Sequence, residues 1–169
     1  MPTTTDEPIK AGRKAPAFKL KDQDGNTHAL ADYAGKPVVL FFYPKDSTSG
    51  CTQEACDFRD QFPAFEKLGA SVLGISILGT KSKAKFASKN DLNFPLLADD
   101  RENDEGKPDP VVAQKYGVWA EKSMYGRTYM GIERTTFLID ANGKVAHVWS
   151  KVKVPGHVDE VAKALRELG

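Results

Sequence analysis

Cysteine is scarce in this chain: 169 residues contain only Cys51 and Cys56. So small a thiol inventory excludes a disulfide-stapled scaffold, and a chain of this length, which fits one domain, buries a sizeable core without staples. Charge of one sign is also missing. With 24 Lys and Arg against 23 Asp and Glu, the net charge of +1 gives no broad electrostatic case for nucleic acid or an anionic membrane surface. No apolar run approaches the roughly 20 residues that cross a bilayer. The N-terminal "MPTTTDEPIKAGRKAP" has no apolar signal core, and residues 1–10 read as a flexible tail. The expected compartment is the cytoplasm, where thiols stay reduced unless they have redox work. His28, His147 and His157 are scattered without ligand spacing, so they and two sulfurs make a poor zinc site. No cofactor is expected.

The apolar content is organised. "PVVLFFY" (37–43) and "SVLGISIL" (71–78) are rich in Val, Ile and Phe on both faces, the pattern of buried parallel strands. Between them Phe58, Phe62 and Phe65 recur at helical spacing, and Pro63 is expected to kink that helix or end its first half. "KSKAKFASKN" reads as a short basic helix ahead of the strand or extended segment "NFPLLAD". "DPVVAQKYG" carries helix signals: Asp109 as N-cap, Pro110 at the first helical position, Gly117 as the stop. Two hairpins are expected, about Asp24-Gly25 and about Asn142-Gly143, and "HVDEVAKALREL" is an amphipathic C-terminal helix. The acidic stretch "DDRENDEGKPDP" (99–110) reads as a solvated loop. This order implies an α/β three-layer sandwich about a mixed sheet. A strand, a helix opening with cysteine, a late hairpin and a final helix form the thioredoxin-like arrangement.

Both cysteines fall in "KDSTSGCTQEAC" (45–56), five positions apart. Any of positions 48–50 is an acceptable cap, and under each choice Cys51 lies in the first turn of the helix. There the free N–H groups and the dipole favour an anion, which for cysteine is the nucleophilic thiolate. The same position also suits a small buried hydrophobe, and location alone does not choose. Five residues on a helix leave the Cα atoms about 8 to 9 Å apart. A disulfide needs them within about 7 Å, so the pair can bridge only if the helix start unwinds. That opposes a structural disulfide, and it opposes the C-x-x-C chemistry of a thiol–disulfide oxidoreductase.

"FFYPKDSTSGCTQEACDFRDQFPAFEKLGASVLGIS" resembles the active-site region of the peroxiredoxins, in particular the peroxiredoxin Q or bacterioferritin comigratory protein branch. Pro44, Thr48 and Cys51 meet its motif P-x-x-x-T-x-x-C, and Glu54 stands three residues on. "MYGRTYMGIERTTFLIDANGKV" resembles the segment that brings the family's arginine, here Arg134. The match runs in pieces from "GRKAPAFKLKDQDG" to "GHVDEVAKAL". The resemblance implies that Cys51 attacks a hydroperoxide, with Arg134 stabilising the departing oxygen and Thr48 donating to the peroxide while accepting a backbone N–H. It implies that Pro44 walls off water and Glu54 orients Arg134. Cys56 is then the resolving thiol, its disulfide with Cys51 reduced by a thioredoxin-like donor. Taken singly, Pro44 could merely end a strand, Thr48 cap a helix and Arg134 be an edge charge. Arg59 and Arg127 are spare cations that could assist Arg134, and the aromatic and Met residues of "MYGRTYMG" are expected in the core.

Two departures stand out: Ser49 replaces the proline common before Gly-Cys, and the acidic stretch is longer than usual. A monomer is expected, since resolution within one chain requires no partner. The rival from another class is a redox-sensing or chaperone-like protein switched by oxidation of Cys51.

Overall fold

The computed structural model describes residues 7–168. Its centre is β3 (Val38–Phe42), in which every residue is buried. Val39 and Phe41 face one apolar cluster, while Val38, Leu40 and Phe42 face another, so the period of two carries core to both sides. β3 runs parallel to β4 (Ser71–Ser76) and antiparallel to β8 (Thr135–Ile139). β5 (Leu96–Ala98) extends the sheet beyond β4, and β9 (Val145–Trp149) forms a hairpin with β8. The hairpin of β1 (Lys19–Lys21) and β2 (Thr27–Ala29) joins through β5, giving the order β2-β1-β5-β4-β3-β8-β9. The first cluster packs α1 (Ser49–Lys67), α2 (Thr80–Lys89) and α4 (His157–Leu168) on one face of the sheet. The second packs α3 (Val111–Lys115) and Tyr116 on the other. This is a thioredoxin-like fold with a mixed seven-stranded sheet, as expected.

Several local expectations change. Pro63 neither ends nor divides α1, which continues to Lys67. Proline cannot donate to the carbonyl of Arg59 four residues back, and the Asn93 side-chain amide points at that oxygen from 3.4 Å. The cap of α3 is Pro110, not Asp109. The free N–H groups at its start go instead to Asp99, which accepts from Val112 at 3.2 Å and Ala113 at 2.8 Å. Asp99 is therefore buried, although the stretch it opens is otherwise mostly exposed. Asp109 accepts from Arg101 and Gln114.

Of the expected tail, residues 1–6 lie outside the described residues. Ile9, by contrast, donates its N–H to Tyr116 and packs on the second cluster. A further ribbon of β6 (Trp119–Met124) and β7 (Arg127–Ile132) stands apart from the main sheet. Its polar run "EKS" hid it from the hydrophobic pattern. Among the described residues no helix is long and apolar enough to cross a membrane.

Candidate active site

β3 ends at Phe42, the chain passes through Pro44 and a loop, and α1 begins after its N-cap, Thr48. Cys51 is the third residue of α1, in the first turn. It is 1% exposed and belongs to the apolar cluster of Val39, Phe41 and Tyr43. Glu54, one turn further on the same helix face, is fully buried. Arg134, between β7 and β8, reaches across to both. Its Nη2 donates to Cys51 Sγ at 3.2 Å and its Nη1 to Glu54 Oε1 at 2.7 Å. Gly50 makes room for this guanidinium, because a Cβ there would meet Arg134 Nη2 at 3.2 Å.

The structure thus brings together three of the six candidate residues, Cys51, Glu54 and Arg134. Thr48 stands at the helix cap, but its hydroxyl donates to Lys45 O at 3.0 Å and accepts no backbone N–H, contrary to the expected capping. Pro44 is half-buried beside the end of β3. Cys56 lies on a different face of α1, about 140° around the helix. It is half-buried, and its thiol points at Asn90 Oδ1, 3.8 Å away. Both thiols are free in one continuous helix.

Burial governs the charges here. It pushes Glu54 up to about 7, against the pull of Arg134, with Asp57 adding to the rise. Burial opposes the charge on Arg134, yet Glu54 and Cys51 outweigh it and hold the guanidinium above its ordinary value. Glu54 Oε2 is buried and has no hydrogen-bond partner among the described residues. It faces His157 Nε2 at 4.0 Å, and that nitrogen is engaged with Thr136 Oγ1 at 2.7 Å. Burial and then the Arg134 charge push His157 down to about 4, so the imidazole is neutral.

Sequence reasoning missed three groups around this centre. His157 and Thr136 lie behind Glu54. Lys122, on β6, is a cation within the field of Cys51 and Arg134; it pairs with Glu133 at 3.7 Å, and burial lowers it. Neither spare arginine plays that part. Arg59 donates to Asn90 O at 2.7 Å beside Cys56, and Arg127 is exposed near the ribbon tip. "MYGRTYMG" is core only at its end: Met124, Tyr125 and Tyr129 are exposed, while Met130 is half-buried and packs on the second cluster.

The third group is buried under the loop. Asp46 accepts from Tyr43 Oη at 2.5 Å, Ser82 Oγ at 2.7 Å and Lys83 Nζ at 3.4 Å. Lys83 is fully buried and also donates to Ser76 Oγ at 2.5 Å. This cluster ties the loop before Cys51 to β4 and α2. Lys83 shares a helix face with Phe86 and Ala87, a signal in the sequence that could have found it.

A buried helix-start thiol thus stands against an arginine–carboxylate pair, where a thiolate would meet a fixed cation. Comparison decides the family. Residues 11–148 match the AhpC/TSA family. The chain belongs to that family. It is 45% identical to the peroxiredoxin Bcp of Bacillus subtilis over 160 residues, 95% of this chain and 97% of that protein. With the Escherichia coli K12 peroxiredoxin Bcp it shares 46% over the same length, again 95% and 97% of the two chains. Its fold matches the Xanthomonas campestris bacterioferritin comigratory protein with a TM-score of 0.82 at 40% identity, covering 94% of this chain and 98% of that one. Peroxidoxin BcpB of Mycobacterium tuberculosis matches with a TM-score of 0.80 at 37% identity, covering 95% and 99%. The chain is a peroxiredoxin of the Bcp or peroxiredoxin Q branch, and its activity is that of a thiol peroxidase.

Proposed function

We propose that Cys51 is the peroxidatic residue, that Cys56 resolves its sulfenic acid, and that a thioredoxin-like protein recycles the disulfide. The Cys51 thiolate attacks the terminal oxygen of hydrogen peroxide or an organic hydroperoxide. A sulfur–oxygen bond forms, the oxygen–oxygen bond breaks, and the departing oxygen leaves as water or an alcohol after gaining a proton. The observation that carries this is the Arg134 contact at 3.2 Å from Cys51 Sγ; a fixed cation beside the sulfur is what a thiolate and a departing oxygen would need. Glu54 orients that guanidinium. In this reading Thr48 turns its hydroxyl from Lys45 O to the peroxide, and Pro44 adds no N–H that would draw water in. The bacterioferritin comigratory protein of Xanthomonas campestris has alkyl peroxide reduction activity, which supports organic hydroperoxides as substrates here.

Resolution needs α1 to unwind at its start, because Cys51 and Cys56 stand about 8 to 9 Å apart while it is helical. Condensation of the sulfenic acid with the Cys56 thiol forms the disulfide and releases water. The cycle closes within one chain, so the enzyme works as a monomer, in a reducing compartment such as the cytoplasm. Mass analysis after one equivalent of peroxide tests the assignment. Loss of two hydrogens is expected for the native chain, and gain of one oxygen for Cys56→Ser, which reacts once and does not turn over with thioredoxin. No mass change at Cys51 would overturn it.

A further inference from the structure

One cation at this site faces two groups that can be negative. Arg134 holds Cys51 Sγ with one terminal nitrogen and Glu54 Oε1 with the other, and all three side chains are largely or fully out of water. Were both thiolate and carboxylate charged, the centre would carry a surplus negative charge in a poorly hydrated place, which is costly. The neighbours do not cancel it. Asp57, further along α1, adds negative potential at Glu54. Lys122 of β6 already pairs with Glu133. His157, at the start of α4, is neutral and has its Nε2 engaged by Thr136 of β8. Glu54 Oε2 is left buried, facing that imidazole at 4.0 Å with no donor among the described residues. An unpartnered carboxylate oxygen in such a place is far less tolerable than a neutral carboxyl.

We propose that Glu54 is a proton reservoir coupled to the redox state of Cys51, protonated while the sulfur is a thiolate and ionised once the sulfur is neutral. The two groups share one counter-ion, and a single negative charge faces Arg134 in either state. The second half of this proposal rests on the peroxidase assignment of Cys51; the first half does not. In balance, the Cys51 thiolate, the hydroperoxide and the Glu54 acid become sulfenic acid, alcohol or water, and the Glu54 carboxylate. Sulfur is oxidised, the peroxide oxygen is reduced, and the proton that the leaving oxygen takes is matched by the one Glu54 gives up. Glu54 acts through Arg134 and so is a positioning residue. Its protonation leaves Arg134 free to hold the thiolate, and its ionisation keeps Arg134 compensated after the thiolate is gone.

The test follows the Glu54 carboxyl through a pH titration by infrared difference spectroscopy or by NMR on carboxyl-labelled glutamate. Reduced native protein is compared with Cys51→Ser, and Glu54→Gln assigns the signal. A buried carboxyl is also recognised by titrating above the other glutamates, so the comparison does not depend on Glu54→Gln folding. The expected result is a midpoint about one pH unit or more lower in Cys51→Ser, because the competing negative charge has been removed. Equal midpoints would overturn the proposal, whatever Cys51 does with peroxide.

For the second half, Cys56→Ser is oxidised with stoichiometric peroxide near pH 6. Loss of the Glu54 acid signal is expected, with no proton drawn from solvent per sulfur oxidised, against one in the Cys56→Ser/Glu54→Gln double variant. An acid signal that persists after Cys51 has gained its oxygen overturns that half. If peroxide leaves Cys51 unchanged while the midpoints differ, the peroxidase assignment fails and the charge coupling stands.

Discussion

Gly50 and Arg134 touch across the start of α1: a Cβ on Gly50 would stand 3.2 Å from Arg134 Nη2, the nitrogen that holds Cys51. The contact is slightly too tight, so Gly50→Ala must push the guanidinium by a few tenths of an ångström. Misplacement on that scale lowers rate without removing a group. Second-order reaction with peroxide is expected to fall about 10-fold in Gly50→Ala. Arg134→Lys loses the fork of donors altogether and is expected to fall about 10²-fold or more. Stopped-flow fluorescence of the reduced proteins measures both. If Arg134→Lys keeps the native rate constant, Arg134 is an edge charge and nothing more.

The Asp46–Lys83 pair holds the loop that precedes Cys51, and its two ends are not equivalent. Asp46→Ala leaves a fully buried ammonium without its paired anion, and breaking a buried pair in that way costs about 3 to 5 kcal/mol. Lys83→Met removes the cation but leaves Asp46 accepting from Tyr43 and Ser82, so about 1 to 3 kcal/mol is expected. Urea unfolding of the reduced variants compares them. Equal losses, or a smaller loss in Asp46→Ala, would contradict the cluster's role as an anchor.

Glu54 and His157 pull the pH dependence of stability in opposite directions. Glu54 titrates near 7 when folded against an ordinary 4.5, so the folded state holds the extra proton and stability falls as pH rises between those values. His157 titrates near 4 when folded against 6.5, so the unfolded state holds the extra proton and stability rises with pH between 4 and 6.5. Their slopes cancel from about 4.5 to 6.5, where folding in effect moves a proton from imidazole to carboxyl. Relative to the native chain, Glu54→Gln is expected to gain stability as pH rises from 4.5 to 7. His157→Gln is expected to lose relative stability as pH rises from 4 to 6.5. Urea midpoints at half-unit pH intervals give both differences, and parallel curves for all three proteins would rule the pair out.

How much of this was legible depended on whether a residue's partner was near in sequence. β3 and β4 declared themselves because both faces of each strand are apolar. Cys51 at a helix start needed only the Ser-Thr-Ser-Gly loop before it, whereas Glu54 was singled out only by the family resemblance. Arg134 entered through resemblance, since nothing local distinguishes it from an edge charge. Asp99 was misjudged because it opens an acidic run, and only α3, over ten residues later, makes it a buried cap. That Pro63 would not end its helix was hidden for a like reason: the amide that meets the freed carbonyl belongs to Asn93. His157 carried a usable signal. It shares a helix face with Val161 and Leu165, which puts an imidazole on the core side of α4, but the groups it meets, Glu54 and Thr136, are both distant in the chain.

Ser49 is the first residue of α1, the position where proline is best tolerated, because the N–H there has no helical partner and the fixed φ suits the helix. In this chain the helix start is therefore less restrained than a proline would make it. Resolution requires that start to unwind, so the restraint acts on the balance between attack and disulfide formation. Ser49→Pro is expected to favour the helical form by about 0.4 to 1 kcal/mol, chiefly by narrowing the unwound ensemble. Oxidation of Cys51 should proceed at close to the native rate, while disulfide formation slows by roughly 2- to 5-fold, as that free energy implies. The two phases separate in stopped-flow fluorescence. Hydrogen exchange supplies the structural readout: amides of residues 52–56 should be protected in reduced protein and lose protection in the disulfide form. Equal protection in both forms, with the disulfide present, would mean that Cys56 reaches Cys51 without unwinding α1, and the distance argument for the pair would be wrong.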